Sequence, residues 1–198
     1  TATDTGDSSV AITYSAASGS TFAIGTTAVT ATATDDSGNA STCTFNVVVV
    51  DTTSPAITCA TAPAPVEATS SAGVPVSYEP ATATDTGDSS VAITYSAASG
   101  STFAIGTTAV TATATDDSGN TSTCTFNVVV VDTTSPAITC PTAPASVEAT
   151  SSAGVPVSYE AATATDTGDS SVAITYSAAS GSTFAIGTTT VTATATDD

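Results

Sequence analysis

Apolar residues alternate with Thr, Ser or Asn along most of this chain. Across Thr108–Thr115, Val110, Ala112 and Ala114 share one face. Across Cys124–Val131, Cys124, Phe126, Val128 and Val130 point one way, and Thr125, Asn127, Val129 and Val131 the other. A period of two is the mark of a half-buried strand. Shorter runs predict further strands at Ala56–Cys59 (continued at Val66–Ala68), Val74–Tyr78, Val91–Tyr95 and Thr102–Ile105. Gly100–Thr102 reads as a turn, and Gly106 closes the strand before it. No segment carries the 3.6-residue apolar period of a helix.

The same pattern returns at a fixed interval. The string ATDTGDSSVAITYSAASGSTFAIGTT begins at Ala2, Ala83 and Ala164, a period of 81 residues. Residues 1–81 and 82–162 differ only at Ala40/Thr121, Ala60/Pro141, Pro65/Ser146 and Pro80/Ala161. Residues 82–117 and 163–198 differ only at Ala109/Thr190. Solenoid repeats run to about 20–50 residues, so this period suits a small autonomous domain. About seven short strands per repeat point to an immunoglobulin-like sandwich. The expected division is 1–50, the C-terminal part of a repeat; 51–131, a complete repeat; and 132–198, a repeat lacking its last strand. The chain reads as a window cut from a longer polypeptide. Each flank on its own would leave half a core exposed, unless a strand from a neighbouring chain completed it.

Composition narrows the function. The chain has 18 Asp and Glu and no Lys, Arg or His, for a formal charge of −18. Nucleic-acid binding needs cations against phosphate, so it is excluded. Triads and dyads built on His or Lys, and zinc sites that use His, are excluded too. Ser and Thr hydroxyls have no base beside them to activate a nucleophile, so no enzyme is expected. Only 9% of residues are charged, and mean hydropathy is +0.28, which suits a folded β-protein better than a disordered one. No apolar run reaches the roughly 20 residues of a membrane span, so no membrane insertion is expected.

Specific motifs carry a family resemblance. Asp132-Thr-Thr-Ser-Pro136-Ala-Ile138-Thr-Cys140-Pro141 resembles the opening of a hyalin repeat, or HYR domain. The closing part is similar as well: Phe103-Ala-Ile-Gly106, then Val110 to Asp116-Asp-Ser-Gly119-Asn120, then Cys124-Thr-Phe126-Asn-Val128-Val-Val130. Ala60 departs from the pattern, standing where the family usually has Pro. The resemblance runs through the whole chain in register. It implies an immunoglobulin- or fibronectin-III-like fold and an extracellular adhesion or matrix module.

The four cysteines are Cys43, Cys59, Cys124 and Cys140. In such a sandwich the first strand leaves the linker end, and the last strand starts there. Cys59 and Cys124 then lie near one pole of the same domain and are expected to pair. Cys43 and Cys59 would be a domain length apart, beyond the ~7 Å Cα limit of a disulfide. Cys43 and Cys140 are assigned to partners outside the window. The alternative is a set of buried free thiols. A disulfide in each repeat implies an oxidising, extracytoplasmic compartment.

The acids of the central repeat are Asp51 in the linker, Glu67, Glu79, Asp85, Asp88, Asp116 and Asp117. The linker and the loops bearing Asp85, Asp88, Asp116 and Asp117 fall at one pole, with Glu79 as a possible further ligand. Carboxylates gathered there without a cation repel one another, and calcium, which takes six to eight oxygens, would relieve that. Asp132, Asp166, Asp169 and Asp197 repeat the arrangement one period on. The competing reading is a solvated acidic surface that keeps the array soluble. No EF-hand loop is present. Asn39 and Asn120 satisfy the N-x-[ST] acceptor pattern for glycosylation. They also suit a Gly-Asn turn, in which the Asn bonds its own backbone.

The function expected is structural: a subunit of a long extracellular filament, stalk or fibre, self-associating in tandem or as a homopolymer. The alternative is the stalk of a cell-surface adhesin whose glycan or protein ligand is held by a domain outside the window. The expected core is Phe126, Val110, Ile93, Ile57, Tyr95 and Phe103, with Ala112 and Val128 filling in.

Overall fold

The computed structural model describes residues 1–6 and 9–197. Every helix or strand among them is a strand. The first repeat holds β1 (Ala11–Tyr14), β2 (Gly25–Thr34) and β3 (Ala40–Val49). The central repeat opens with β4 (Ala56–Thr58), β5 (Val66–Glu67), β6 (Val74–Pro75) and β7 (Thr82–Thr84). It continues with β8 (Ala92–Tyr95), β9 (Thr102–Phe103), β10 (Gly106–Thr115) and β11 (Thr121–Val131). The third repeat holds β12 (Ala137–Thr139), β13 (Val155–Pro156), β14 (Thr163–Thr165), β15 (Ala173–Tyr176), β16 (Thr183–Phe184) and β17 (Ala193–Thr196). The chain is all-β, as its two-residue periodicity predicts.

Contacts divide the chain into two compact units. The first comprises Thr1–Thr58, Thr82–Thr94 and Thr113–Thr123. It contains the antiparallel sheet β1-β2-β3, with Gly25 opposite Val49 and Thr34 opposite Ala40. Val29 is buried there, but Phe45 on the same sheet is 49% exposed. β4 and β7 form an antiparallel pair, Ile57 opposite Ala83. The Thr-Ala-Thr of β7 has no bulky apolar residue, which is why periodicity alone does not predict it.

The second unit comprises Cys59–Ala81, Tyr95–Ala112 and Cys124–Asp198. Its core gathers Val74, Val76, Tyr78, Phe103, Val110, Phe126, Val128 and Val130. Val110 and Ala112 are wholly buried, and Val128 and Val130 are 1% exposed. The Tyr78 ring meets Phe126 edge-on at a centroid distance of 4.8 Å and lies 5.5 Å from Tyr95. The buried Tyr78 hydroxyl donates to the Ala97 carbonyl, and the Tyr95 hydroxyl accepts from the Ala81 amide at 2.7 Å. Cys59 and Cys124 form a disulfide beside this core, Cα atoms 5.6 Å apart. β11 is flanked by β10 and by β5, which runs parallel to it with Val130 opposite Val66.

The core differs from the expected one at two positions. Ile57 and Ile93 are only half-buried and lie outside the cluster. Each stands on a strand of three or four residues that begins or ends beside the acidic loops. The segment after β6 replaces them, because Val74, Val76 and Tyr78 all point inward. Only Val74 and Pro75 are in a regular ladder. Beyond them Val76 donates to Ser101, Gly100 donates back to Val76, and Tyr78 donates to the Ser99 hydroxyl. Gly73 turns the chain into this segment at φ +101°, and a Cβ there would strike the Phe103 carbonyl, so no other residue fits without displacing backbone.

Candidate metal centre

Three carboxylates from three separate stretches converge in the first unit. Asp51 lies in the linker, Asp85 follows β7, and Asp116 follows β10. Each offers an oxygen within 4.8 Å of the others. The second unit repeats the group with Asp132, Asp166 and Asp197. No Lys, Arg or His exists to balance either group.

Local turns aim these side chains. Asp51 Oδ1 accepts from the Thr53 amide at 3.0 Å, and Asp85 Oδ1 from the Gly87 amide at 2.7 Å. Asx turns of this kind use one oxygen and hold the other in place. The remaining oxygens, Asp51 Oδ2 and Asp85 Oδ2, are buried and have no hydrogen-bond donor. Gly87 is where the linker meets the loop: a Cβ on it would collide with the Asp51 carboxylate. Gly168 stands in the same relation to Asp132.

Asp116 is 5% exposed and is held by Asn120, whose amide donates to Oδ1 at 2.7 Å and whose Nδ2 donates to Oδ2 at 2.8 Å. Burial works to raise its pKa, but the donors from Asn120, Ser118 and Gly119 outweigh it and leave the pKa below the ordinary value. The same Asn120 Nδ2 donates to the Asp51 carbonyl at 3.3 Å, tying the loop to the linker. The Ser122 hydroxyl adds a bond to the Pro55 carbonyl at 2.6 Å. Asn39 makes the matching contacts with Asp35 in the first repeat. At both N-x-[ST] positions the Asn amide nitrogen is therefore engaged in the turn.

Asp132 behaves as a member of a crowded acid group. The Thr134 amide works to lower its pKa. Desolvation and the charges of Asp166, Glu67 and Asp197 outweigh that donor, and the net shift is upward. Asp166 Oδ2 and Asp169 Oδ2 are buried without donors.

Four expected ligands are not in these groups of three. Asp88 turns to the Asp117 amide, which donates to its Oδ2 at 2.7 Å. Asp117 and Glu79 are exposed. Asp169 binds the Ser171 amide through Oδ1 and stands beside Asp166, whose Oδ1 accepts from the Asp169 amide at 3.2 Å.

Two contributors are not legible from spacing. Asn120 organises the site. Glu67 anchors the next linker, accepting from the Thr133 amide at 2.8 Å, the Thr133 hydroxyl at 2.9 Å and the Thr134 hydroxyl at 3.0 Å. These partners lie 66 and 67 positions away, so no local pattern announces them. The Thr133 amide leads the donors that hold the Glu67 carboxyl below its ordinary pKa. Its folded pKa being lowered, the anchor contributes above the usual glutamate range and is lost as pH falls through the folded value. Followed by NMR, the Thr133 amide should hold its shift below pH 4.5 and move only in stronger acid. A transition at the ordinary glutamate pKa would contradict the anchor.

Buried carboxylate oxygens without donors, in a group with no cationic side chain, fit a hard divalent cation. Nothing in the group suits a soft metal, since both unpaired cysteines, Cys43 and Cys140, lie outside it.

Fold and site together define a tandem array of immunoglobulin-like β-sandwich repeats with acidic linker ends. The HYR domain model matches residues 1–49, 50–130 and 131–198, and the chain belongs to that family. The HYR domain is a non-enzymatic repeat module of extracellular and cell-surface proteins. A comparison with curated proteins finds no match. Among the described residues no helix is long and apolar enough to cross a membrane.

Proposed function

We propose that this chain is a structural segment of an extracellular filament or stalk, whose repeats are joined stiffly by calcium at the linkers and braced by disulfides. The observation that carries the reading is the place of Asp51. A linker residue shares one acid group with two loops of the domain that follows, and Asp132 does the same one period later. A cation held by all three would fasten linker to domain. Near-identical repeats suit an element that sets length. The lack of Lys and Arg also leaves no site for trypsin-like proteases. Self-association in tandem or as a homopolymer is the partnership proposed; a glycan or protein ligand would belong to a domain beyond these repeats.

Calcium should raise the melting temperature, and EGTA should reverse the gain. At a hundredfold excess over Kd, one site contributes about 2.7 kcal/mol. Asp85→Asn with Asp116→Asn should remove the response of the first site. Gly87→Ala should weaken it while removing no carboxylate, since the added Cβ displaces that of Asp51. Electron microscopy in EGTA should show a more sharply bent array. Equal stability and equal straightness with and without calcium would leave the acids as solubilising surface.

A further inference from the structure

The linker from the central to the third repeat is held from the side of the repeat it leaves. β11 ends at Val131, and β5 runs parallel beside it, Val130 opposite Val66 and Val131 opposite Glu67. The Val131 carbonyl accepts from the Ala68 amide at 2.8 Å. Two residues on, the Thr133 amide donates to Glu67 Oε1 at 2.8 Å. The Thr133 hydroxyl donates to Oε2 at 2.9 Å, and the Thr134 hydroxyl to Oε1 at 3.0 Å. All of these residues belong to the second unit.

These bonds bracket Asp132. The peptide plane before it is pinned at the Val131 carbonyl, and the plane after it at the Thr133 amide. Each peptide group is planar, so only φ and ψ of Asp132 lie between two fixed planes. The direction of its Cα–Cβ bond is thereby set from the preceding repeat. Its carboxylate accepts from the Thr134 amide at 3.1 Å and meets Asp166 and Asp197 of the following repeat. Beyond Thr134 little freedom is left, since Pro136 holds Ser135 to extended conformations. Glu67 is exposed, and one neutral hydrogen bond there would hold weakly. Three donors on one ionised carboxylate hold better, because charge-assisted bonds are stronger. Both halves of the contact recur in sequence: Asp-Thr-Thr stands at 51–53 and 132–134, and Val-Glu-Ala-Thr at 66–69 and 147–150.

We propose that Glu67 is the positioning residue of this junction: reaching from the repeat before, it fixes the linker backbone so that Asp132 is already aimed at the loops of the repeat after. It acts through hydrogen bonds and is not a ligand, since the group of three acids excludes it. The linker is then fastened at its two ends by different means, Glu67 behind and the acid group ahead. The effect of Glu67 on cation binding rests on the calcium reading. Its ordering of the linker does not.

The test is NMR backbone relaxation of the 198-residue chain in EGTA, followed by a calcium titration. With Glu67 intact, the amides of Asp132, Thr133 and Thr134 should show the order parameters of rigid backbone, about 0.85. Glu67→Ala should drop them below about 0.6, with Val128 and Val130 unmoved. Glu67→Gln should keep most of the order. Its carbonyl oxygen still accepts from the Thr133 amide and the Thr134 hydroxyl, and its amide nitrogen can donate to the Thr133 hydroxyl. Thr133→Val with Thr134→Val leaves the carboxylate untouched and should loosen the linker part-way. In the titration, Glu67→Ala should weaken binding at Asp132, because the ion must then order the linker itself. Glu67→Gln should bind closer to the unaltered chain. Unchanged linker order in Glu67→Ala would overturn the proposal. So would a Gln variant as loose as the Ala variant, or an equal loss of calcium affinity in both, which would make the charge of Glu67 its contribution. Should calcium bind none of the chains, the calcium reading fails, and the order parameters alone decide on Glu67.

Discussion

Removing the Cys59–Cys124 disulfide, by reductant or by paired Ser substitution, is expected to lower the melting temperature of the central repeat by about 15 °C or more. The bond joins residues 65 positions apart. Closing a loop of that size restricts the unfolded chain by about 4 kcal/mol in the chain-entropy model. For a domain of this length each kcal/mol moves the midpoint by roughly 4–8 °C. The effect is large because the core is small. Its largest fully buried side chains are three valines, Val110, Val128 and Val130, so burial per residue is modest. Cys59 packs against the same cluster, and a Ser there would also place a hydroxyl against apolar neighbours. Calorimetry with and without reductant measures the effect. A transition unmoved by reduction would mean that the bond follows the fold and does not support it.

Much of the fold was legible because alternation survives wherever a strand is long. β10 and β11 each show it over eight residues, 108–115 and 124–131, and their inward positions are the buried ones. The short elements were not legible. β7 has three residues and no large side chain, and the Val74–Tyr78 segment reads as a full strand yet keeps only a two-residue ladder. Its remaining bonds go to Ser99, Gly100 and Ser101, a partnership set by tertiary packing. Ile57 and Ile93 look like core by hydrophobicity, but each strand they occupy is too short to bring them under a second layer.

The candidate metal centre was legible by a different route. Charge arithmetic shows that acids lack counter-charges, and the domain pattern assigns linker and loops to one end. Which acids meet depends on single hydrogen bonds. Asp88 is taken by the Asp117 amide, whereas Asp85 keeps one oxygen free because Gly87 satisfies the other. Spacing cannot distinguish these two residues three positions apart. Asn120 and Glu67 act through partners on the linkers, and only the folded chain places those partners beside them.

The same Phe occurs in the first two repeats in the same sequence context, which allows a controlled comparison. Phe126→Ala should destabilise the central repeat by about 3–5 kcal/mol, the usual cost of deleting a buried aromatic. Phe126 is 7% exposed, lies edge-on to Tyr78 and sits among Val76, Val110 and Val128. Phe45→Ala, measured on dilute chains, should cost under about 1 kcal/mol, because half of that ring already faces solvent and little burial is lost. Denaturant titration of the two variants separates the cases, since each sequence change is chemically identical. Equal costs would mean that the first repeat buries Phe45 as fully as the central repeat buries Phe126.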